Sequence, residues 1–478
     1  MPTTDPDVTL RRGEALLHED LITPLHDHEE ARNRLLATVD GTTRVVTPEQ
    51  ANSLVATLRP NQGIEEVEHI ATGPRFARRG LFRGSLIGLG GLLAASAVPR
   101  YSFAADSGRD LLVCVFLRGG FDGLSAVGPV GDTAYNKARG SLRIDSGLAL
   151  GSGHVLNKNF AALNPVWNAG EMAVVLGSGH PDVTRSHFED QDMCERAAKA
   201  NVRSGWIGRH ITSSSAESGT FRAITRGDQR VVLSLTTNAH QSLAMSNVDS
   251  FNLESAWNDR DNLVRDLEAV YGDAGGVLAS QAKATMDAVT SLDTVRSQTY
   301  KPANGAIYDK DSSWHTGLKD IARLAKTPLG MEVACIDYGG WDMHQGIGSP
   351  HSATGQFSSM ARDFATGLAA FRTDLGTRWS RVTVVTMSEF GRRVEINGDG
   401  GSDHGHGNVM FLMGGGVKGG KVYGSMPNLA PANLDDGDVP ITTDYRQPLS
   451  EIVTKRLLND KLDSVFPGFT PGTALGLA

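Results

Sequence analysis

Short apolar runs that end in glycine and are followed by polar, ionisable residues recur between residues 110 and 416 of this 478-residue chain. Val, Leu and Ile dominate these runs, and the apolar residues do not alternate with polar ones. Such runs predict strands buried on both sides, and therefore an α/β fold with a mostly parallel central sheet covered by helices on both faces. The runs are LLVCVFL from 111, MAVVLGSG from 172, MEVACIDY from 331, VTVVTM from 382 and VMFLMGGG from 409.

Polar side chains suited to catalysis or metal binding follow four of these runs. In a parallel sheet the carboxyl ends of the strands lie at one edge, and ligands bind outside that edge. We therefore expect one shared site there. The residues in such positions are Asp122, Ser186, Asp342, His344 and Glu389.

A glycine-rich loop between the last two runs, within residues 387–416, carries Asp403, His404 and His406. Glycine at nearly every second position lets the backbone turn tightly, so that these side chains can face one point. The loop therefore suggests a metal or catalytic site. An Asp-His pair that is hydrogen-bonded within the loop and only holds a turn is an equally weighted alternative.

Helical periodicity with charged faces predicts helices from 252 to about 330, as an insertion that covers the sheet or caps the site. A closing helix is predicted from Tyr445, and LDDGD at 434–438 predicts an exposed turn in preference to a calcium site. Near the amino terminus, HDHEEARNRLLATV and TPEQANSLVATL carry capping residues and apolar residues at helical spacing. These two segments predict a helical extension over residues 1–74.

Charge is unevenly distributed near the amino terminus. Residues 1–74 hold 13 acidic and 6 basic side chains, whereas residues 75–104 hold five arginines and no acid. The pair Arg78-Arg79 precedes an uncharged run that is too short and too glycine-rich for a spanning helix, and Ser102-Phe103-Ala104 offers a cleavage site. The pattern predicts a twin-arginine signal over 75–104 and export to the periplasm, cell surface or medium, although a membrane-anchoring segment has a similar pattern.

Composition and charge bear on nucleic-acid binding, disulfide bonding and membrane spanning. A net charge of -8 without a basic cluster gives no support to nucleic-acid binding. Three cysteines without close spacing imply no disulfide framework. The mature part is not expected to span a membrane.

Five motifs in a fixed order resemble the uncharacterised exported family called domain of unknown function 1501. The resemblance covers nearly all of residues 105–478 and implies the alkaline-phosphatase-like fold of phosphatases, sulfatases and cofactor-independent phosphoglycerate mutases. It also implies a twin-arginine leader and, as a candidate partner, a neighbour-encoded exported protein of another uncharacterised family. The motifs are FLRGGFDGLS, TRSHFEDQD, GGWDMHQ, SEFGRR and DHGHGN.

The resemblance implies a catalytic segment and a metal site. Ser186 corresponds to the nucleophile of the alkaline-phosphatase pattern, with Thr184 in reserve, while Arg185 would hold substrate oxygens. His187 and His180 would act as acid or base or brace the loop, with bracing favoured. The metal ligands implied are Asp342 and His344 with His404 or His406 on one ion, Asp122 and Glu389 on a second, and Asp403 nearby.

One departure affects the second ion. Phosphatases of this pattern place an adjacent Asp-His pair where this chain has Glu389-Phe390, so the second ion would lose an imidazole ligand. The expected cofactor is a divalent cation, Zn, Mn, Mg or Ca, or no ion at all. The expected function is hydrolysis of phosphate or sulfate esters through a Ser/Thr nucleophile. The alternative is a non-catalytic exported scaffold or partner-binding protein.

Overall fold

The computed structural model of this chain divides into two units, Met1–Ala77 and Arg78–Ala478. In the first unit the structure describes three strands. In the second it describes residues 110–478 with gaps at 200, 215–220, 228–229, 238–241, 252–264, 266–268, 270–275, 351 and 353. The predicted signal segment and the helix predicted over TPEQANSLVATL lie outside the described residues.

The first unit contains an antiparallel sheet of β1 (Thr9–Arg12), β2 (Leu35–Val39) and β3 (Thr42–Val46). The helix predicted over HDHEEARNRLLATV is therefore wrong at its end, over Leu35–Val39. Val39 pairs with Thr42, and Asp40-Gly41, the dipeptide between them in the sequence, is typical of two-residue hairpin turns. Thr38, Val39, Val45 and Val46 are β-branched residues that favour strands, and their pairing outweighed the helical spacing.

The second unit is built on a nine-stranded sheet in which only β13 runs against the others. Its order is β10-β9-β11-β4-β12-β13-β8-β14, and β15 also pairs with β8. A small antiparallel sheet of order β5-β7-β6 is formed by the chain between β4 and β8. The strands are β4 Leu111–Phe116, β5 Val127–Gly128, β6 Gly147–Gly151, β7 His154–Asn157, β8 Met172–Gly179, β9 Ala223–Arg226, β10 Leu243–Met245, β11 Val333–Asp337, β12 Val382–Met387, β13 Asn408–Met413, β14 Lys421–Gly424 and β15 Thr443–Asp444.

The described α-helices of this unit are named here in chain order. They are α1 Gly123–Ala126, α2 Thr133–Arg139, α3 Asn164–Asn168, α4 His187–Arg196, α5 Trp206–Ser213, α6 Gly276–Arg296, α7 Ser313–Ala325, α8 Gln356–Leu375, α9 Arg446–Lys455 and α10 Leu462–Val465. Among these described helices, none is long and apolar enough to cross a membrane.

Helices cover both faces of the sheet. In β4, Leu111, Val113 and Val115 belong to one buried core together with side chains of α7 and α8. The alternate residues Leu112 and Cys114 belong to a second core with side chains of α5 and α9. Successive residues of a strand point to opposite faces, so the predicted fold class, a mostly parallel sheet with helices on both faces, is confirmed.

The predicted elements are largely present. Each of the five apolar runs forms a strand, the closing helix begins at Arg446, and α6 and α7 lie in the segment predicted to be helical. Most of its amino-terminal part, LESAWNDRDNLVRDLEAVYG, lies outside the described residues. The domain limits at 74, 104 and 252–330 stay predictions.

The sheet topology accounts for a site at one edge. β11, β4 and β12 are parallel neighbours, so the chain leaves all three at the same edge. β13 is antiparallel to β12, and the loop of residues 388–407 that joins them therefore lies at that edge as well. α4, which follows β8, completes the surroundings.

Candidate metal centre

Asp342, beyond the end of β11, lies at the centre of a group of imidazoles. Its Oδ1 is 3.0 Å from His344 Nε2 and 3.3 Å from His404 Nε2. Its Oδ2 is 3.3 Å from Nε2 of His187, the first residue of α4. One ligand atom each from His187, Asp342 and His404 lie within 4.8 Å of one another. The structure thus brings together residues from three separate segments.

All three imidazoles of this group point Nε2 towards Asp342 and bind an oxygen through Nδ1. Backbone carbonyls and ionised carboxylates only accept hydrogen bonds, so each Nδ1 carries a proton, and a ring without a second proton has its lone pair on Nε2. Metal-binding histidines commonly have such outer partners. The Nδ1 partners are Glu389 for His187 at 2.8 Å, Asp403 for His344 at 2.9 Å and the Arg185 carbonyl for His404 at 2.8 Å.

The charges around Asp342 keep its carboxylate ionised. Burial alone would raise the pKa of Asp342, but the Arg392 guanidinium, 2.7 Å away, outweighs it and lowers the pKa to about 2. Burial, reinforced by the Arg392 charge, lowers the pKa of His404. The hydrogen bond to Glu389 raises the pKa of His187. These shifts favour the anionic form of Asp342 and the neutral form of His404.

Distances in the group fit a divalent cation. His344 Nε2 and His404 Nε2 are 2.9 Å apart, and they lie 3.0 and 3.3 Å from Asp342 Oδ1. Bonds of ~2.0–2.1 Å to one cation place neighbouring ligand atoms roughly 2.9–3.4 Å apart. Without a cation or an extra proton, the two neutral rings would direct lone pairs at each other across 2.9 Å. His187 Nε2 is also buried without a hydrogen-bond partner among the described residues.

Glu389, which the sequence suggested as a metal ligand, lies behind the group instead of within it. Its fully buried Oε1 accepts hydrogen bonds from Gly119 N, His187 Nδ1 and Gln191 Nε2, each at 2.8 Å. Burial raises the pKa of Glu389, but these hydrogen bonds, led by that from His187, outweigh it and lower the pKa. In this arrangement Glu389 orients His187.

Asp403 has a similar outer position. Its Oδ1 accepts from His344 Nδ1 at 2.9 Å and from Asn397 Nδ2 at 3.0 Å. The bond from Asn397, and then that from His344, lower the pKa of Asp403. Asp403 thus orients an imidazole from outside the loop, and within the loop it binds Asn397, whereas His404 and His406 bind other partners.

Asp122 and His406, two more candidate ligands, bind elsewhere. Asp122 caps α1, accepts from Ser125 Oγ at 2.7 Å and forms a buried ion pair with Arg139. His406 Nδ1 lies 2.8 Å from Asp435 Oδ2, in the predicted turn. Of the two histidines proposed for one metal, the structure places His404 in the group.

The candidate catalytic segment precedes α4. Ser186 is the N-cap residue of α4, and its hydroxyl makes no cap hydrogen bond. Thr184 donates to Asp190 through both N and Oγ1, at 2.9 and 3.1 Å. Arg185, expected to hold substrate oxygens, donates through Nε to Asp438 at 3.0 Å and through Nη2 to Asp436 at 3.1 Å.

At Arg185 the backbone is left-handed, and its carbonyl faces His404. With φ of 66°, this residue occupies a region that non-glycine residues rarely adopt. Its carbonyl receives the bond from His404. His180, the other candidate acid or base, is buried, accepts from Asp182 N at 3.1 Å and lies beside Tyr445, so it braces the loop.

Sequence reasoning missed two neighbours of the group. The Phe390 ring lies 4.9 Å from that of His187 and 4.6 Å from that of His404, and it forms one wall of the site. Gln191 binds Glu389 from α4. Its spacing of four residues from His187, one helical turn, was the available signal. Arg392 is 2% exposed and binds Asp342 and nearby carbonyls.

Together these features define a mostly parallel α/β protein with a His/Asp group at the carboxyl edge of its sheet. The profile of the family described as Protein of unknown function (DUF1501) matches residues 170–442, and the chain belongs to this family. Among curated proteins, none matches the sequence.

Some solved structures are similar to this chain at low identity. The C-terminal periplasmic domain of EcEptC from Escherichia coli, in complex with Zn, is 12% identical over 79% of this chain and 92% of its own, with a TM-score of 0.33. A protein in the alkaline phosphatase superfamily from Vibrio parahaemolyticus is 10% identical over 75% and 77%, with a TM-score of 0.29. The lipoteichoic acid synthase LtaP from Listeria monocytogenes is 10% identical over 67% and 69%, with a TM-score of 0.28. At such scores the likeness carries no argument about activity, and the description of the fold rests on the sheet topology itself.

Proposed function

We propose that this protein is an exported, metal-dependent hydrolase of phosphate or sulfate esters. The observation that carries the proposal is the shared orientation of three imidazoles, each donating through Nδ1 to an oxygen and directing Nε2 at Asp342. A group built only for hydrogen bonding would not need three Nε2 atoms around one carboxylate. Outer partners that fix the tautomer are typical of metal ligands.

Asp342, His344, His404 and His187 are the residues that would hold the cation. A donor set richer in imidazole nitrogen than in carboxylate oxygen favours zinc or a similar transition metal over Mg or Ca. When bound, such a cation polarises an ester oxygen and lowers the pKa of a neighbouring hydroxyl.

Ser186 is the proposed nucleophile. It lies between Arg185, whose carbonyl binds His404, and His187, whose Nε2 faces Asp342. Its hydroxyl makes no cap hydrogen bond, so capping α4 does not compete with a chemical role. The start of α4 also favours an anionic group, because the helix dipole is positive there.

The test combines metal analysis with an ester-substrate screen. Protein purified without chelator is expected to retain a divalent metal and to hydrolyse phosphate or sulfate esters. Ser186→Ala should abolish turnover while metal content and melting temperature stay unchanged, because the hydroxyl is not a ligand. Ser146→Ala, at an exposed serine, is the control and should keep full turnover. Equal turnover in Ser186→Ala and wild type would contradict the assignment of the nucleophile.

A specific observation favours the non-catalytic alternative as second candidate. Arg185 is bound to the 436–438 turn, and Asp122 is bound by Arg139. Neither is placed for the role that the family resemblance implied. In a scaffold, the His/Asp group would stabilise a surface for a neighbour-encoded exported protein. A stable complex with that protein, together with bound metal and no turnover of any ester, would favour this alternative.

A further inference from the structure

Three sulfur-bearing side chains meet on one face of the central sheet. Cys335 of β11 and Cys114 of β4 are register partners on neighbouring parallel strands, and the thiol of Cys335 is hydrogen-bonded to that of Cys114. Cys114 Sγ lies 3.7 Å from Sδ of Met387, the last residue of β12. All three residues are at most 4% exposed and belong to the core that contains side chains of α5 and α9. Three adjacent strands thus form a buried cluster of three sulfur atoms.

A cavity of about 10 Å³ borders this sulfur cluster. Such a volume is enough for one water-sized atom. Arg118, which follows β4, and Asp337, the last residue of β11, also line the cavity, and their side chains are 23% and 37% exposed. The cavity therefore lies nearest to solvent at the carboxyl edge of the sheet.

The charged side chains around the cavity are already bound to one another. Glu195 accepts from Arg118 Nη2 at 2.8 Å through Oε1 and from Ser234 N at 2.9 Å through Oε2. Arg118 also donates to Asp337 at 2.6 Å. A buried water molecule typically makes about three hydrogen bonds, whereas thiols and thioethers are only weak donors and acceptors. The cavity therefore suits a soft metal ion better than water.

The sulfur cluster has the donor type and spacing of a Cu(I) site. Thiolate and thioether sulfur atoms are soft ligands, and a set of two cysteines and one methionine suits Cu(I). Metal–sulfur bonds of ~2.3 Å in a trigonal plane place sulfur atoms roughly 4.0 Å apart, close to the 3.7 Å between Cys114 and Met387. Zn(II) sites are tetrahedral and need one more ligand, but the carboxylates in the cavity wall, Glu195 and Asp337, are bound by Arg118.

We propose that Cys114, Cys335 and Met387 form a Cu(I) site, separate from the His/Asp group and independent of the proposed function. Each cysteine that binds the ion as a thiolate releases its proton to solvent. With both cysteines ionised and one Cu(I) bound, the cluster carries one net negative charge. The Arg118 guanidinium lies in the wall of the same cavity and provides a positive charge beside it.

The experiment titrates the reduced full chain with Cu(I) in the absence of oxygen, in competition with a chromogenic Cu(I) chelator, and records X-ray absorption of the bound copper. Wild type is expected to bind one Cu(I) per chain, with sulfur neighbours at ~2.3 Å. Cys114→Ala and Cys335→Ala should lose this binding. Met387→Leu, which changes the side-chain volume little, should bind Cu(I) more weakly than wild type, and it keeps the test decisive if an alanine variant does not fold.

Cys194→Ala is the matched control, because Cys194 is similarly buried but its thiol contacts the carbonyls of Ser388 and Glu389. His404→Ala removes an imidazole of the His/Asp group. Both variants should keep the Cu(I) affinity of wild type. Four results would each overturn the proposal: no Cu(I) bound by wild type, nitrogen in place of sulfur around the copper, equal affinity of Met387→Leu and wild type, or loss of binding in Cys194→Ala. Ester hydrolysis is not measured in this test, so its outcome is independent of the proposed function.

Discussion

At the scale of single residues, Asp342 and His404 are the side chains on which the candidate centre depends. Asp342 contacts all three imidazoles, and His404 connects the glycine-rich loop to Asp342 and to the carbonyl of Arg185. If a cation is bound there, removing one ligand leaves the remaining groups uncompensated and weakens binding.

We predict that His404→Ala lowers both metal content and melting temperature. A cation present at a hundred times its dissociation constant adds ~2.7 kcal/mol to the folded state, and the variant would lose most of this. Thermal melts with and without chelator measure the effect. Ser186→Ala serves as the control and should keep the metal content and melting temperature of wild type. Identical melts of wild type and His404→Ala, in both conditions, would leave a hydrogen-bonded turn as the better account of the loop.

A second buried ionisable group, that of Glu332, lies outside the candidate metal centre. Glu332, before β11, binds His210 of α5 at 3.0 Å and Arg222 at 2.6 Å. Burial raises the pKa of Glu332, but the bond from His210 and the Arg222 charge outweigh it and lower the pKa from 4.5 to about 2. A pKa lowered in the folded state stabilises the protein above the unfolded value of about 4.5.

We therefore predict that the contribution of Glu332 to stability, about 3 kcal/mol, is lost as the pH falls from 4.5 to about 2. Glu332→Gln should be less stable than wild type at neutral pH and should flatten the acid limb of a stability-versus-pH curve from urea titrations. Glu395→Gln, at an exposed position, provides the comparison and should keep the wild-type curve. A Glu332→Gln curve parallel to wild type from pH 5 to 2 would contradict the prediction.

At the scale of elements, the loop between β12 and β13 depends on close backbone contacts. A Cβ on Gly401 would lie 2.1 Å from the His344 carbonyl, and one on Gly405 would lie 2.6 Å from the Arg392 carbonyl carbon. Within this described loop only Gly400 has a positive φ, at 73°. The glycines were expected to allow tight turns, but most of them instead let the loop pack against neighbouring segments.

Gly401→Ala should therefore push the loop away from residues 343–344 and separate Asp403 from His344. Overpacking of this kind costs about 1–3 kcal/mol. We expect a lower melting temperature and reduced metal content, measured by calorimetry and elemental analysis. Gly398→Ala is the matched control in the same loop, because a Cβ there meets no atom within 4 Å. Equal losses in both variants would show that close packing at Gly401 is not the cause.

At the scale of the whole molecule, the amino-terminal sequence predicts export by the twin-arginine route. Arg78 and Arg79 precede an uncharged run and small residues at 102–104, all outside the described residues. Twin-arginine export carries folded proteins, which suits a centre assembled from segments that meet only after folding.

We predict that the double variant Arg78→Lys, Arg79→Lys remains in the cytoplasm with its leader uncleaved, because the export machinery reads the arginine pair. Cell fractionation with immunoblotting measures processing, and Arg100→Lys, within the same segment, is the control that should be exported. Normal processing of the double variant, with cleavage after Ala104 or Ala105, would refute this route.

The sequence by itself determined the five strands formed by the apolar runs, β4, β8, β11, β12 and β13, and the edge at which the candidate site lies. The residues of β4, β8, β11 and β12 are apolar on both faces, which is typical of strands inside a parallel sheet covered by helices. The residues that follow these strands therefore lie at one edge of the sheet. The amino-terminal sheet was missed because helical spacing was given more weight than the Asp40-Gly41 hairpin signal.

Only the tertiary structure decided which polar side chains meet. Asp122 and His406 have the same residue types as true neighbours of Asp342, but Arg139 and Asp435 bind them first. Partners such as these are set by contacts between segments that no local pattern reports. Asp342 differs because its carboxylate, which can accept several hydrogen bonds, binds Arg392 and still faces three imidazoles.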